Sequence, residues 1–218
     1  MNFPGVKDRH AIVGTTGTGK TRAALWFLSL KDYTERPWII YNFKGEEDID
    51  NIPFIHEIGL HQTPKVPGIF VVKPLPHETE EVEMQMWEIW KRGNMGVYVD
   101  EGYMIGSDNR AYRALLTQGR SKRIPMMNLS QRPVFMDKFV FTETDFWSIF
   151  EQGSDQDEKK IKEYIRRDID TTTLAPFHSY YFDKKAKELI PLQPVPDLPE
   201  VYETFHNRLK DLRTKKVV

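Results

Sequence analysis

The chain has 218 residues, with 31 Lys and Arg against 32 Asp and Glu, no cysteine and a hydrophobic fraction of 39%. This length suits one domain with a full core, and the lack of cysteine excludes disulfides, cysteine zinc sites, iron–sulfur clusters and a thiol nucleophile. The sequence has neither an apolar run near the ~20 residues of a membrane span nor a signal peptide. We therefore expect a soluble intracellular protein.

Short β-rich runs alternate with helical stretches, which predicts an α/β fold with a mainly parallel sheet flanked by helices. In chain order, strands are predicted at 10–14, 38–43, 69–72, 97–100, 125–130 and 146–150, and helices at 20–30, 78–92, 109–122 and 157–168. Residues 44–68 are predicted to form a loop-rich insertion, and 179–182 with 188–192 an antiparallel C-terminal hairpin. Prolines from residue 191 onward then predict a stiff linker to a basic terminal helix. The predicted division is a main domain of residues 1–192 and a C-terminal segment of residues 193–218.

Charge is segregated along the chain although the formal net charge is −1. The stretch between Asn109 and Met136 carries no acid, whereas acids are clustered at 46–50 and 78–88. An average charge near zero can hide such local fields. The basic residues of the acid-free stretch are Arg110, Arg113, Arg120, Lys122, Arg123 and Arg132.

The segment from Gly14 to Thr21 matches the pattern G-x-x-x-x-G-K-[ST] in full. Between a strand and a helix, such a glycine-rich loop surrounds phosphate oxygens with backbone N–H groups, and the start of the helix adds a positive end. Lys20 can reach the β- and γ-phosphates, a catalytic as well as a binding role, and the Thr21 hydroxyl can ligate Mg²⁺. The predicted nucleotide-binding residues are Gly14, Thr15, Thr16, Gly17, Thr18, Gly19, Lys20, Thr21 and Arg22.

A P-loop needs a distant carboxylate for its metal, and the predicted strand at 97–100 supplies one in Asp100. The carboxyl ends of strands are where α/β sheets bind ligands, so Asp100 is predicted to hold Mg²⁺ through water. Glu101 follows directly and can act as the general base for the water that attacks the γ-phosphate. An Asp–Glu pair favours a hydrolase over a kinase, because a kinase excludes the attacking water.

Gln131 ends the next predicted strand, within the segment Asn128-Leu-Ser-Gln-Arg132. Its amide can hydrogen-bond both the γ-phosphate and the attacking water, and so act as a catalytic sensor of the bound nucleotide. The alternative interpretation is a polar strand end that faces solvent. The local residues favour the two interpretations about equally.

This ordered set of a P-loop, a strand ending in Asp-Glu and a strand ending in Ser-Gln-Arg-Pro133 resembles the FtsK–HerA superfamily of DNA-pumping ATPases. Over residues 8–192, the chain is most similar to the genome-packaging ATPases of tailless, membrane-containing icosahedral double-stranded DNA viruses. The resemblance implies a P-loop NTPase fold of the RecA-like (ASCE) class, with the Gln131 strand between the P-loop strand and the Asp-Glu strand. It also implies an ATPase that forms a homo-hexamer around DNA and drives the DNA into a preformed capsid.

The resemblance also places an arginine finger ahead of the Gln131 strand, where Arg120 and Arg123 stand. A guanidinium from a neighbouring subunit would stabilise the charge that develops on the γ-phosphate. Arg120 is the first candidate and Arg123 the second, and their spacing of one helical turn would let both face one subunit boundary. The alternative is a solvated basic helix end before Pro125.

DNA contacts are predicted at Lys44, Arg110, Arg113 and Lys122, because a motor that moves any sequence binds phosphates and not base edges. The loop at 103–109 is a further candidate for the lining of a pore. A packaging function places the protein at the virion vertex and in the host cytoplasm. A basic C-terminal end can bind DNA, a portal-like or capsid-vertex protein, or membrane lipid; its residues are Arg208, Lys210, Arg213, Lys215 and Lys216.

Three other functions stay open at this stage. A plasmid or conjugation motor of the same superfamily usually carries membrane helices or an additional DNA-reading domain, and an envelope-bound assembly factor of a filamentous virus carries a spanning segment. The sequence shows none of these features. The third function is that of a capsid-vertex component for which ATP is only a structural ligand. Unlike a motor, such a component would keep its role in assembly after the loss of Glu101.

Overall fold

The computed structural model describes residues 1–106 and 108–214, and for Asp211, Arg213 and Thr214 the backbone alone. Ser107 in the predicted pore loop, Lys215 and Lys216 of the basic end, and the side chain of Arg213 lie outside the described part of the chain. The described residues form the strands β1 (Arg9–Val13), β2 (Pro37–Asn42), β3 (His56–Glu57), β4 (Gly68–Val72), β5 (Gly96–Asp100), β6 (Met126–Ser130), β7 (Phe146–Ile149), β8 (Ser179–Asp183) and β9 (Glu188–Leu192). The helices are α1 (Lys20–Ser29), α2 (Glu47–Asp50), α3 (Thr79–Arg92), α4 (Arg110–Gln118), α5 (Lys138–Glu143), α6 (Asp155–Ile165) and α7 (Leu198–Thr214).

These strands form a single sheet in the order β3-β4-β2-β5-β6-β1-β7-β8-β9. Pairing is parallel from β3 to β7, and β7, β8 and β9 pair antiparallel. The predicted mainly parallel sheet with a C-terminal hairpin is confirmed, and so is the predicted position of β6 between β1 and β5. The carboxyl ends of β1, β5 and β6 therefore lie side by side at one edge, which we call the upper edge.

Two hydrophobic cores lie on opposite faces of the sheet, because alternate residues of each strand point to opposite sides. On β1, Val13 belongs to one core and Ile12 to the other. Helices α3, α4, α5 and α6 cover the first face, and α1, α2 and α7 cover the second. The result is a three-layer arrangement, helix–sheet–helix, as expected for a parallel sheet buried on both faces.

The C-terminal helix α7 packs against α1 through apolar residues spaced four apart, Val201, Phe205 and Leu209, all of which are buried. Among the described residues, no helix is both long enough and apolar enough to cross a bilayer. The division at residue 192 stays a prediction, and the structure adds that the helix beyond it contributes to the second core.

The predicted helix at 109–122 extends four residues too far at its C-terminal end. α4 ends at Gln118, and the chain then reverses, because the N–H of Ile124 donates to the carbonyl of Gly119 at 2.9 Å. Arg123 adopts a left-handed conformation with φ of 56° in this turn. Arg120 and Arg123 therefore do not lie on one helical turn, and the predicted shared helical face is wrong.

Three short elements escaped prediction: α2 and β3 within the supposed loop-rich insertion, and α5 after the Gln131 strand. Each is too short for its own periodicity to be recognised. Their formation depends on burial against the rest of the molecule, as for Ile49 of α2 and for Val140 and Phe141 of α5.

Candidate functional site

The residues predicted to act on a nucleotide come together at the upper edge of the sheet. The P-loop follows β1, Asp100 ends β5, and Gln131 follows β6. The register pairs Val13 of β1 with Ser130 of β6, so the two strands end at the same level. This is the place where open parallel sheets bind ligands.

The P-loop backbone adopts left-handed conformations at two of its glycines. Gly17 and Gly19 have φ of 84° and 90°, a left-handed conformation that is costly for residues with a side chain. The N–H of Thr15 donates to the carbonyl of Glu151 at 2.9 Å, which fixes the start of the loop to the residues after β7. Lys20 begins α1 and is almost fully buried. Burial lowers the pKa of Lys20, and the nearby charges of Glu101 and Asp100 oppose that shift.

Asp100 is a buried carboxylate with spare hydrogen-bonding capacity. Its exposed fraction is 2%, and its Oδ2 atom has no hydrogen-bond partner in the described part of the chain. Burial, and then the charges of Glu101 and Glu46, raises the pKa of Asp100 to about 7 despite the opposing charges of Lys20 and Lys44. A cation stabilises the charged form of a carboxylate buried in this way, and a divalent cation beside Thr21 would fit the donor set.

Glu101 is held at both of its carboxylate oxygens. Lys44 Nζ lies 2.7 Å from Oε1, and the backbone N–H of Gln131 donates to Oε2 at 3.0 Å. The residue itself has a left-handed φ of 57°. Burial lowers the pKa of Lys44, but the hydrogen bond and charge of Glu101 outweigh it, so that the net shift is upward.

Gln131 faces the P-loop and not bulk solvent alone. The hydroxyl of Thr16 donates to Oε1 of Gln131 at 2.9 Å. Gln131 therefore bridges the P-loop and the residue that follows β5, because its side chain accepts from Thr16 and its backbone N–H donates to Glu101. This geometry favours the sensor interpretation over a polar strand end without a role.

Sequence reasoning missed several residues of the site. A cleft of about 280 Å³ beside the P-loop is also lined by Phe177 and by the acids Glu46 and Asp48. Lys44 is predicted to contact DNA, but it lies beside Glu101. Its position just after β2, whose carboxyl end is at the same upper edge, is the signal that points to this contact. No sequence pattern indicates that Phe177 lies at the P-loop, because it comes from a loop 156 residues after Thr21. The predicted residues that line this cleft are Thr16, Gly17, Gly19, Lys20, Thr21, Arg22 and Gln131.

A larger apolar groove of about 570 Å³ lies elsewhere, between α3 and residues 60–63. Met84 and Trp87 are part of its lining, and none of its lining residues belongs to the P-loop cleft. An apolar groove does not suit the phosphates that the Gly14–Thr21 loop is predicted to bind.

The two arginine-finger candidates lie at the opposite, lower edge of the sheet. Arg120 Nη2 lies 2.6 Å from Asp145 Oδ1 and also donates to the carbonyl of Glu143, just before β7 begins. The carbonyl of Arg123 accepts from Arg36, just before β2 begins. Neither arginine is therefore close to the P-loop of its own chain.

The four predicted DNA-binding residues do not form one surface. Lys44 is paired with Glu101, and Lys122 lies at the lower edge, with its Nζ 4.1 Å from the centre of the Trp90 ring. Arg110 and Arg113 lie together in the first turns of α4 near the upper edge. Arg113 pairs with Asp137 at 2.8 Å and retains 37% exposure. Because α4 spans the height of the sheet, basic residues at its two ends lie at opposite edges, and the DNA contacts of the four residues stay a prediction.

No family model matches the chain. The chain is 40% identical over 215 residues to the DNA packaging ATPase P9 of Enterobacteria phage PRD1, and the match covers 94% of the chain and 95% of that relative. The solved structure of the genome packaging NTPase B204 from Sulfolobus turreted icosahedral virus 2, in complex with AMPPCP, matches with a TM-score of 0.69 at 16% identity, over 88% of this chain and 100% of that one. ATPases 2 and 3 of EssC from Geobacillus thermodenitrificans match with a TM-score of 0.64 at 11% identity, over 96% of this chain and 45% of that one. The structural likenesses confirm the predicted α/β P-loop NTPase fold.

Proposed function

The chain belongs to the family of viral DNA packaging ATPases, and on that basis we propose that it hydrolyses ATP to drive double-stranded viral DNA into a preformed capsid. The observation that carries the proposal is the match to a packaging ATPase along nearly the whole chain. The convergence of Lys20, Asp100, Glu101 and Gln131 at one edge of the sheet supports the catalytic part of it.

The P-loop binds the triphosphate of ATP. Backbone N–H groups of residues 15–20 surround the β-phosphate, and Lys20 neutralises the β- and γ-phosphates. Because Lys20 is nearly buried, its charge acts in a medium less polar than water and is correspondingly more effective.

Thr21 and Asp100 would hold Mg²⁺, Thr21 by its hydroxyl and Asp100 through water. The unpartnered, buried Oδ2 atom of Asp100 supports this assignment, because an orphaned carboxylate oxygen is costly without a positive partner. When bound, the ion neutralises charge on the phosphates.

Glu101 accepts the proton of the attacking water, and Gln131 orients that water and contacts the γ-phosphate. The backbone N–H of Gln131 holds Glu101 Oε2, so the sensor and the base are positioned by one hydrogen bond. Release of Oε1 from Lys44 would free the carboxylate for proton transfer.

Arg120 acts on the nucleotide of a neighbouring subunit, with Arg123 as the second candidate. A strand rises about 3.3 Å per residue, so five-residue strands separate the lower and upper edges by roughly 15 Å. Arg120 cannot span that distance to its own P-loop. A finger at the lower edge requires a neighbouring subunit, and we propose the homo-hexamer that the family resemblance implies.

Arg110 and Arg113 are the proposed contacts to DNA phosphates, since they lie beside each other on α4 and close to the catalytic edge. Contacts of this kind bind any sequence. The proposed partners are ATP, double-stranded DNA and a capsid-vertex or portal-like protein. The proposed locations are the virion vertex and the host cytoplasm.

The test is steady-state ATPase activity of the wild type and of Glu101→Gln, with and without double-stranded DNA. A motor loses turnover in Glu101→Gln but still binds ATP, whereas a structural ATP-binding protein with this substitution still supports virion assembly. The matched control is Glu80→Gln, which changes an exposed carboxylate on α3. Unchanged hydrolysis in Glu101→Gln would refute the assignment of the general base.

A further inference from the structure

Phe177 is an exposed aromatic residue in a strained conformation next to the P-loop. Its φ is 64°, a left-handed value that bulky residues rarely adopt, and its exposed fraction is 46%. A methyl group added to Gly19 would lie 3.0 Å from Cδ1 of Phe177, so the ring touches the loop backbone. Strained residues of this kind are concentrated where a ligand is held.

Arg22 covers the Phe177 ring from the first turn of α1. Its Cζ atom lies 4.9 Å from the ring centroid, and its Nε atom is buried without a hydrogen-bond partner in the described part of the chain. The guanidinium therefore lies over one face of the ring, and its Nε supplies a free N–H donor beside it.

The loop that carries Phe177 is fixed on both sides. The N–H of His178 donates to the carbonyl of Ala175 at 3.0 Å, and His178 Nε2 lies 3.0 Å from Oε1 of Gln193. The second contact ties the loop to the residues after β9. The loop is therefore held in place before any ligand arrives, which lowers the entropic cost of ordering it on binding.

Phe177 lines two neighbouring clefts. The first, of about 280 Å³, is the P-loop cleft beside Lys20 and Thr21. The second, of about 240 Å³, lies between the P-loop and the Phe177 loop, where Leu174, Ala175 and Pro176 line it. Space for the rest of a nucleotide is therefore available beyond the P-loop cleft, next to the Phe177 ring.

The sheet order gives the direction in which a nucleotide lies across the P-loop. The γ-phosphate belongs beside Asp100, Glu101 and Gln131, which follow β5 and β6 on one side of β1. Phe177 precedes β8, which lies on the other side of β1, beyond β7. The part of the nucleotide farthest from the γ-phosphate is the base, and it is directed toward Phe177.

We propose that Phe177, together with Arg22, is the stacking platform for the base of the bound nucleotide. The inference rests on the proposed function, which makes ATP the ligand of the P-loop. Base–aromatic stacking contributes substantially to affinity and does not depend on base edges. Phe177 is thus a binding residue, outside the group that touches the reacting phosphate.

The experiment measures dissociation constants for Mg-ADP and for inorganic tripolyphosphate by calorimetry, without DNA. Tripolyphosphate has no base and reports on the phosphate site alone. We expect Phe177→Ala to weaken ADP binding on the order of 10-fold and to leave tripolyphosphate binding unchanged. Phe177→Trp should restore ADP affinity, because tryptophan also stacks.

The control is Phe135→Ala, which removes an exposed phenylalanine that also contacts an arginine, Arg132. It should bind both ligands like the wild type, and thermal unfolding checks that each variant folds.

Equal weakening of ADP and tripolyphosphate binding in Phe177→Ala would mean that the ring only supports the P-loop. Unchanged ADP affinity would place the base elsewhere, and either result overturns the inference while leaving ATP hydrolysis by the wild type untouched. A wild type that binds neither ligand would refute the proposed function itself.

Discussion

Lys44 and Glu101 form a 2.7 Å ion pair that joins the ends of β2 and β5, with Glu101 only 1% exposed. The carboxylate is the proposed general base, and Lys44 is its nearest positive partner in the described structure. Burying a charge without a partner is costly, so this pair decides whether the Asp100–Glu101 segment holds its conformation.

A double-mutant cycle should show coupling between Lys44 and Glu101. Lys44→Met leaves a buried carboxylate unpaired and should lower the free energy of unfolding by ~1–3 kcal/mol. Added to Lys44→Met, Glu101→Gln should restore much of that loss, because a neutral amide needs no counter-charge. Urea denaturation of the four proteins gives the coupling energy, and strictly additive effects would contradict the buried pair.

Arg120→Ala should abolish most turnover without weakening ATP binding. An arginine finger in trans accelerates phosphoryl transfer by ~10³–10⁵ in other P-loop enzymes, and Arg120 lies at the edge opposite its own P-loop. Specific activity of the wild type should rise with protein concentration as subunits assemble. Arg123→Ala is the matched comparison and should have the smaller effect. Turnover that is independent of concentration, of DNA and of Arg120 would point to a self-contained monomeric NTPase.

Asp157 should be essential for stability, because it connects α6 to the residues after Gln131. It is fully buried and accepts hydrogen bonds from Arg132 Nε at 3.1 Å, the Val134 N–H at 3.0 Å and the Ser154 hydroxyl at 2.7 Å. Asp157→Ala leaves these donors unsatisfied and should cost ~2–4 kcal/mol. The control Asp155→Ala changes an exposed acid in the same helical turn. Chemical denaturation should separate the two variants clearly, and equal small losses would argue against a structural role for the buried carboxylate.

His10 should make the fold sensitive to acid. Burial, and then the charge of Lys31, holds the pKa of His10 well below its ordinary value of 6.5. At His10 the unfolded chain therefore takes up a proton below pH 6.5 that the folded chain does not, so the contribution of His10 to stability falls as pH falls through that range. This contribution should fall by about 1 kcal/mol between pH 6.5 and 5.5.

His10→Gln removes this titration and keeps a group that can bond to the Ser148 hydroxyl, the present partner of His10 Nε2 at 2.9 Å. The unfolding free energy of His10→Gln, taken relative to that of the wild type, should rise by about 1 kcal/mol as the pH falls from 6.5 to 5.5. His56→Gln, a substitution on the exposed strand β3, should keep the pH dependence of the wild type. Identical slopes in the wild type and His10→Gln would contradict a neutral buried histidine.

Agreement between sequence and structure is best where a pattern is local. The Gly14–Thr21 loop does separate β1 from α1, and Asp100 does end a buried strand. Disagreement arises where an element depends on distant contacts. α5 exists because Val140 and Phe141 reach the core, and α4 stops at Gln118 because the following residues turn back on Gly119.

The sequence by itself determined which groups make up the proposed site: a glycine-rich loop predicted to bind phosphate, two adjacent acids, a glutamine at a strand end and two arginines ahead of it. Spacing along the chain is sufficient for these features, because each one is formed by neighbouring residues. Tertiary structure alone decided that Lys44 neutralises Glu101, that Arg120 lies on the far edge from its own P-loop, and that Phe177 covers Gly19. Those contacts follow from the order of the strands in the sheet. That order depends on residues far apart in the chain, because they bury the two cores together.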